Sequence, residues 1–270
     1  MNIIIQVRNY GSYIKSLLSS FNSKDLYFNL EYDDYEQVIL QGFSPHIEKI
    51  TSERFLIKRI ISLNILLNGA LFIASLNSNQ KVKFESYETK NDIGINKDNY
   101  YGFWTDTIEE YPFENNEEYY LANKNLPLEA DLDVMLFGIA KFDYIIRTLL
   151  FQAGFIYNNG IHDKILTWNT LYKMVDTIKF GCKEEDIDFE EMIDKNSLNR
   201  FTAACNNPTI LGIYSRHGGK GKEIKKFQSL EDIEQAISLI LCFAKNFATL
   251  YVTKKKYINI PNFSINKCIA

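Results

Sequence analysis

The side chains best suited to chemistry are concentrated in one short segment, which begins at Tyr214 and contains the adjacent pair Arg216 and His217. Five cationic side chains stand against one acid between Tyr214 and Lys226. Glycine lets the backbone approach a ligand closely, and backbone N–H groups beside cations are a means of binding phosphate. The segment therefore predicts a phosphate or ligand site formed by Tyr214, Arg216, His217, Gly218, Gly219, Lys220 and Lys222.

Two other interpretations of this segment remain open. Its lysines are also typical of a solvated loop, and Arg216 and His217 also suit a hydrogen-bonded pair packed at the end of a helical bundle. Residues 183–194 carry seven acids and one lysine. We expect this acidic segment either to attract the cationic loop or to form a second solvated face.

The rest of the composition argues against several kinds of site. The three histidines, His46, His162 and His217, have no histidine or cysteine partner at helical spacing, so we expect no metal site. The chain lacks the sequence motifs of phosphate-binding loops, dinucleotide sites and zinc proteases, and we expect no cofactor. Four widely spaced cysteines favour buried, reduced thiols over a disulfide framework. A net charge of −4 provides no global positive field for nucleic acid.

The spacing of apolar residues predicts a mixed α/β region over residues 1–127. Apolar residues three to five positions apart predict a long helix from Thr51 to about Leu76, and a short helix is expected at 13–21. The stretch 89–127 is aromatic and acidic, which favours a loop or covering segment that packs its aromatic rings. Alternating apolar residues predict strands at 3–7, 26–31, 36–40 and 81–88.

Beyond Pro127 the pattern becomes helical. Ser229 and Asp232 resemble a capping box that opens a last long helix. The predicted fold class is therefore α+β, with an antiparallel α-helical bundle and a short tail over residues 128–270. Apolar stripes predict the earlier helices of this bundle at 128–149, 165–178 and 189–201.

The chain is expected to be soluble and cytoplasmic. Its first eight residues do not combine a basic segment with a long apolar one, which argues against a signal peptide. The most apolar stretch, residues 60–76, is interrupted by Asn64, Asn68 and Gly69 and is too short for a membrane span of about 20 residues.

Several short motifs in the second half resemble those of a known family. Residues Trp168 to Lys173 form a W-x-x-LYK pattern, and the segments 200–207 and 215–218 follow in order. This arrangement, over residues 128–256, is similar to bacterial proteins whose C-terminal helices are HEPN-like. The resemblance implies a short helical bundle that usually dimerises. Many members are ribonucleases of toxin–antitoxin, CRISPR and anti-phage systems, while others are not catalytic.

Active members of that family carry an arginine followed, after four to six residues, by a histidine. This spacing is absent here, because no histidine in the chain has an arginine five to seven positions before it. If the protein is an enzyme, the resemblance implies a metal-independent ribonuclease in which Arg216 and His217 are the catalytic candidates. The imidazole would move the proton of the ribose 2′-hydroxyl, and the guanidinium would stabilise charge on the phosphorus oxygens.

Three hypotheses of function follow, and the sequence leaves open whether the protein is an enzyme at all. The leading hypothesis is a bacterial defence or stress protein that contacts RNA or a nucleotide phosphate, as a homo-oligomer or with a protein partner. The second is a non-catalytic scaffold or antitoxin-like protein. The third is a small-molecule sensor, with an expected pocket lined by Tyr and Trp between the two halves of the chain.

Overall fold

A computed structural model describes residues 3–7, 12–32, 38–77, 81–89, 108–114, 131–156, 161–216, 232–257 and 267–269. Its contacts divide the chain into two compact units, residues 1–68 with 80–142 and residues 69–79 with 143–270. The boundary expected from the sequence, after residue 127, lies outside the described residues. A sheet lies in the first unit and the second is mostly helical, so the predicted α+β class is confirmed at this level.

The first unit is built on a sheet of four described strands in the order β2-β3-β1-β4, and each neighbouring pair is antiparallel. One face of β1 is buried, since Ile3, Ile5 and Val7 are each at most 2% exposed. The alternation of apolar residues predicted these strands, and that prediction is confirmed. Their bounds are β1 Ile3–Val7, β2 Tyr27–Tyr32, β3 Val38–Phe43 and β4 Phe84–Thr89.

Among the described residues, three helices accompany the sheet, namely α1 (Ser12–Ser20), α2 (Glu53–Ser75) and α3 (Leu132–Ile139). The first unit includes α2 up to Asn68, and the second begins at Gly69. Aromatic rings meet edge to face in the first unit, where Phe137 of α3 contacts Phe21 and Phe113 at centroid distances of 5.7 and 6.1 Å. Phe113 belongs to the stretch that the sequence predicted to pack its aromatic rings.

Two asparagines in α2 hold Val82, two residues before β4, by hydrogen bonds. The amide of Asn68 accepts from the backbone N–H of Val82 at 2.8 Å and donates to its carbonyl at 2.9 Å. Asn64 donates to the same carbonyl at 3.2 Å. The two side chains, which interrupt the apolar stretch in the sequence, thus satisfy a buried segment of backbone.

A buried carboxylate, that of Asp25, joins distant segments of the first unit. It accepts from Lys141 Nζ at 2.8 Å and from His46 Nε2 at 2.9 Å, and all three side chains are at most 6% exposed. Burial raises the pKa of Asp25, but the hydrogen bond from His46 and the charge of Lys141 outweigh burial, so the pKa lies below its ordinary value. His46 Nδ1 accepts the N–H of Glu114 at 2.8 Å, which assigns the proton to Nε2.

The second unit contains α4 to α8, and α5 packs against both α4 and α8. Gly181 of α5 allows a close approach, because a Cβ there would overlap the ring of Phe247. Gly69 likewise lies against the Leu150 carbonyl, which a Cβ would overlap. The bounds are α4 Tyr144–Gly154, α5 Ile161–Glu184, α6 Lys195–Asn206, α7 Pro208–Leu211 and α8 Ile233–Lys254.

Three predicted helix boundaries are wrong, and in each case an aspartate explains the difference. The helix expected over 128–149 is interrupted at 140–143, because Asp143 accepts the N–H of Ile146 and caps a new helix. The helix expected from 189 begins after Asp194, which accepts the N–H of Ser197. The last helix begins after Asp232, which caps it with two hydrogen bonds, whereas the predicted capping box requires this residue to lie inside the first turn.

The predicted antiparallel order holds for only part of the second unit. Ile145 lies beside Gly181, and Gln152 donates to Thr177 at 2.9 Å, so α4 and α5 run in opposite directions. Phe247 lies beside Gly181, and Lys254 donates to the carbonyl of Asp186 just beyond α5. Helix α8 therefore runs in the same direction as α5, and this part of the prediction is wrong.

The cysteines also depart from the prediction. Cys242 of α8 and Cys268 form a disulfide bond, with their Cα atoms 5.9 Å apart, whereas reduced thiols were expected. Cys182 and Cys205 are buried free thiols, as predicted. The predicted tail is therefore anchored near its end by a covalent bond.

Two described helices, α2 and α8, have the length and composition of a membrane span. In each helix, 72% of the most apolar stretch of 18 residues is buried within the structure. Burial of this kind is typical of core helices in soluble proteins, which agrees with the expectation of a soluble chain.

Removal of Lys141 tests the buried pair. Lys141→Met leaves Asp25 as a buried carboxylate without its cation, and we expect the free energy of unfolding to fall by about 3–5 kcal/mol. The control is Lys195→Met, because Lys195 pairs with Glu190 where the two side chains are 68% and 47% exposed. Loss of such a pair costs less than about 1 kcal/mol. Urea denaturation followed by circular dichroism measures both, and equal losses would contradict the assignment.

The lowered pKa of Asp25 also predicts a pH dependence. Its contribution to stability is complete above the ordinary pKa of about 3.9 and is lost as the pH falls through the lower pKa of the folded state. The stability of the wild type should therefore approach that of the Asp25→Asn/Lys141→Met double variant as the pH is lowered below 3.9. A difference between the two proteins that stays constant from pH 7 to pH 2 would show that Asp25 is not ionised in the fold.

Candidate functional site

The candidate site is built on the contact between α5 and α6. Trp168 of α5 stacks on Phe201 of α6 with a centroid distance of 6.0 Å and an angle of 23°, and both rings are at most 3% exposed. Tyr172 lies one helical turn after Trp168, so both face the same side of α5. This packing places Tyr172 beside the residues that follow α6.

The chain reverses direction after α6 and returns to it. Asn207 caps the short α7 by accepting the N–H of Thr209, and Pro208 occupies its first turn. Gly212 follows with φ +58° and ψ −126°, a backbone conformation that a side chain would strain. The backbone N–H of Arg216 then donates to the carbonyl of Cys205 at 2.6 Å. The start of the predicted loop is thereby fixed against the end of α6.

The side chain of Arg216 lies on the ring of Tyr172. Its guanidinium carbon is 4.3 Å from the ring centroid, well within the range of a cation–π interaction. Arg216 is nevertheless exposed to solvent, whereas Tyr172 is half-buried. A guanidinium held over an aromatic face keeps N–H donors at its edge for an anion, and it loses less freedom on binding than a free arginine.

No carboxylate of a described residue forms an ion pair with Arg216. The acidic segment 183–194 pairs elsewhere in the described chain, since Glu185 contacts Lys255 at 2.6 Å and Glu190 contacts Lys195 at 2.9 Å. The expected attraction between this segment and the cationic loop is therefore not seen for Arg216. Residues 217–226 of that loop lie outside the described residues.

Cys205, whose carbonyl accepts the N–H of Arg216, is a candidate nucleophile, and its environment suppresses that role. Burial raises the pKa of the Cys205 thiol to about 12, although the charge of Arg216 acts in the opposite direction. Burial also raises the pKa of Cys182 to about 12. Both thiols are protonated at neutral pH, and the thiolate is the reactive form.

The predicted site residues are described in part. Arg216 is exposed as required, and Tyr214 is half-buried in the turn before it. Tyr172 was not predicted as a site residue. The sequence feature that could have pointed to it is its place in the W-x-x-LYK pattern, one helical turn after Trp168. His217, Gly218, Gly219, Lys220 and Lys222 lie outside the described residues, so their roles stay predictions.

Other chemistry is not assembled in the described chain. No group of three or more His, Cys, Asp or Glu residues among those described could hold a metal ion. His46 is completely buried against Asp25, and the side chain of His162 on α5 is not described. Comparisons with known protein families, curated proteins and solved structures found no match to this chain.

The raised pKa values of the free cysteines predict low reactivity. At pH 8 the oxidised native chain should react with Ellman's reagent less than about one-hundredth as fast as the chain in guanidinium chloride, because Cys182 and Cys205 are buried and protonated. Mass spectrometry of the labelled peptides identifies which thiol reacts. Stoichiometric labelling of native Cys205 within minutes would show that the thiol is accessible or ionised.

Proposed function

We propose that this protein binds the phosphate of RNA or of a nucleotide through Arg216, within a HEPN-like helical region, as part of a bacterial defence or stress response in the cytoplasm. The observation that carries the proposal is the exposed guanidinium of Arg216 on the ring of Tyr172, with no ion pair to a described carboxylate. Supporting it are the glycines and lysines that follow directly in the sequence.

The physical argument rests on the position of the charge. A guanidinium can donate two parallel hydrogen bonds to a phosphate, and a charge-assisted bond of this kind is about twice as strong as a neutral one. Arg216 is held by its backbone at Cys205 and by its side chain at Tyr172, so the donor is in place before the ligand arrives. The chain as a whole is acidic, so affinity for an anion must come from this local arrangement.

Catalysis requires a second group. Arg216 can stabilise negative charge on a phosphate, but a guanidinium stays protonated and cannot act as a general acid or base near neutral pH. In the proposed ribonuclease, His217 serves as the group that accepts the proton of the 2′-hydroxyl. Without that step the same site is a binding site for RNA or nucleotide.

A non-catalytic interaction protein is the second candidate. Leu166 and Phe180 of α5 are 63% and 52% exposed, and their spacing of four helical turns brings them close to one side of the helix. The two side chains are about 21 Å apart along α5, so they are single exposed residues that a partner helix could cover and do not form one contiguous patch. This candidate predicts no affinity for RNA or nucleotide in the wild type, which separates it from the first.

Replacement of Arg216 tests the proposed function. Arg216→Ala should weaken binding of a fluorescent single-stranded RNA by about tenfold and reduce the slope of log affinity against log salt by about 1, because one phosphate contact is lost. Tyr172→Ala should weaken binding several-fold, whereas Tyr172→Phe keeps the ring and should bind as the wild type does. Fluorescence anisotropy over a range of salt concentrations measures all three variants.

The matched control is Arg54→Ala, which removes the same charge from an exposed arginine at the start of α2. If Arg216→Ala and Arg54→Ala bound RNA with equal affinity, the loss of binding would come from net charge, and the proposed site would be contradicted. RNA incubated with the wild type in EDTA tests catalysis separately. Cleavage that is lost in both Arg216→Ala and His217→Ala supports a ribonuclease, and binding without cleavage supports a binding site alone.

A further inference from the structure

The disulfide between Cys242 and Cys268 anchors a short segment, residues 267–269, to α8, and the backbone of this segment lies beside the residues that precede α6. Cys268 forms a parallel bridge with Ile193, in which its N–H donates to the Met192 carbonyl at 3.1 Å and its carbonyl accepts from Asp194 at 3.0 Å. Asn246 of α8 donates to the Met192 carbonyl and to the sulfur of Cys268. The segment therefore lies beside Asp194, the residue that caps α6.

Within the described part of the chain, this segment is held, besides the covalent bond, by two backbone hydrogen bonds, the contact of Asn246 with the Cys268 sulfur and the charge of Lys267 near Asp194. Cys268 is 4% exposed, but Lys267 and Ile269 on either side are exposed, and the large apolar side chain of Ile269 is 77% exposed. Hydrogen bonds of this kind contribute only about 0.5–1.5 kcal/mol each once their exchange with water is counted. A cross-link across 26 residues, in contrast, removes much of the freedom of the undocked chain. Docking of the segment thus depends on the bond.

We propose that Cys242 and Cys268 form a redox latch, whose disulfide docks residues 267–269 against Met192–Asp194 and whose reduction releases them. Cys242 is the more exposed of the two cysteines, so in the proposed step the thiolate of a dithiol reductant attacks its sulfur and not that of Cys268. The Cys242–Cys268 bond breaks, Cys268 leaves as a thiolate and takes up a proton, and the second thiol of the reductant resolves the mixed disulfide. Two electrons and two protons pass to the protein, and the reductant becomes a disulfide.

Release of the segment changes the surroundings of α6. The N–H of Asp194 loses its acceptor and the carbonyl of Met192 loses a donor, both directly before the first turn of α6. Near its other end the same helix carries Cys205, whose carbonyl accepts the backbone N–H of Arg216. The latch itself is independent of any role for Arg216, and it operates whether or not the protein binds RNA. In the cytoplasm, where dithiols keep most cysteines reduced, the docked form is the response to oxidation.

Hydrogen exchange of the full chain tests the latch. The amide of Asp194 should exchange at least about tenfold faster after treatment with dithiothreitol, because its acceptor on Cys268 is released. Titration of thiols in denaturant confirms the redox state, with two free thiols in the oxidised chain and four in the reduced chain. Unchanged exchange at Asp194 after complete reduction would overturn the proposal, as would failure of oxidised glutathione to form the bond.

Two variants sharpen the result. Cys268→Ser removes the latch, so its Asp194 amide should exchange as in the reduced wild type and should not respond to dithiothreitol. Cys182→Ala removes a cysteine outside the bond and should keep the full response. If exchange in Cys182→Ala, like that in Cys268→Ser, did not change on treatment with dithiothreitol, the effect would not come from the Cys242–Cys268 bond.

Discussion

Asp25 is 3% exposed, and the first unit depends on keeping this carboxylate ionised in a site almost closed to solvent. Lys141 supplies the charge and His46 supplies a hydrogen bond, so segments that follow α1, β3 and α3 meet at a single group. Separating Lys141 from Asp25 would leave a buried charge unpaired, at a cost of several kcal/mol, and separating His46 would remove a hydrogen bond from the buried carboxylate. The network therefore disfavours alternative arrangements of these segments. Apolar contacts alone, such as those among Phe21, Phe113 and Phe137, are less directional and would discriminate less strongly against such arrangements.

The second unit uses an aspartate in a related way. Asp143 caps α4 with one oxygen, and its other oxygen accepts from the hydroxyls of Tyr251 and Tyr257, at 3.1 Å each. Burial raises the pKa of Tyr251, and the neighbouring charge of Asp143 raises it further. The tyrosine therefore remains a hydrogen-bond donor, and the start of α4 is tied to the end of α8. Local capping and long-range packing are here provided by the same side chain.

Periodicity was sufficient to predict the strands and α2, because alternation and helical spacing are local properties of the sequence. It failed at residues 140–143, where apolar residues continue across the break and only Asp143 signals a new helix. The roles of Asn68 and Cys268 could not be predicted, since both depend on segments brought together by the fold. The parallel direction of α8 relative to α5 could not be predicted for the same reason. At the candidate site, the sequence singled out Arg216, whereas the supporting ring of Tyr172 required the contact of α5 with the turn after α6.

The chemistry open to Arg216 follows from its neighbours. A nearby cation lowers the pKa of a thiol, yet burial keeps the pKa of Cys205 at about 12, so the pair does not form a nucleophile. What remains is a guanidinium that is exposed, oriented by an aromatic ring and not neutralised by a described carboxylate. Such a group binds anions and stabilises charge that develops on them, but it transfers no proton. Any reaction at this site therefore needs a separate acid or base, and the imidazole of the next residue, His217, is the group in the adjoining sequence whose ordinary pKa suits that task.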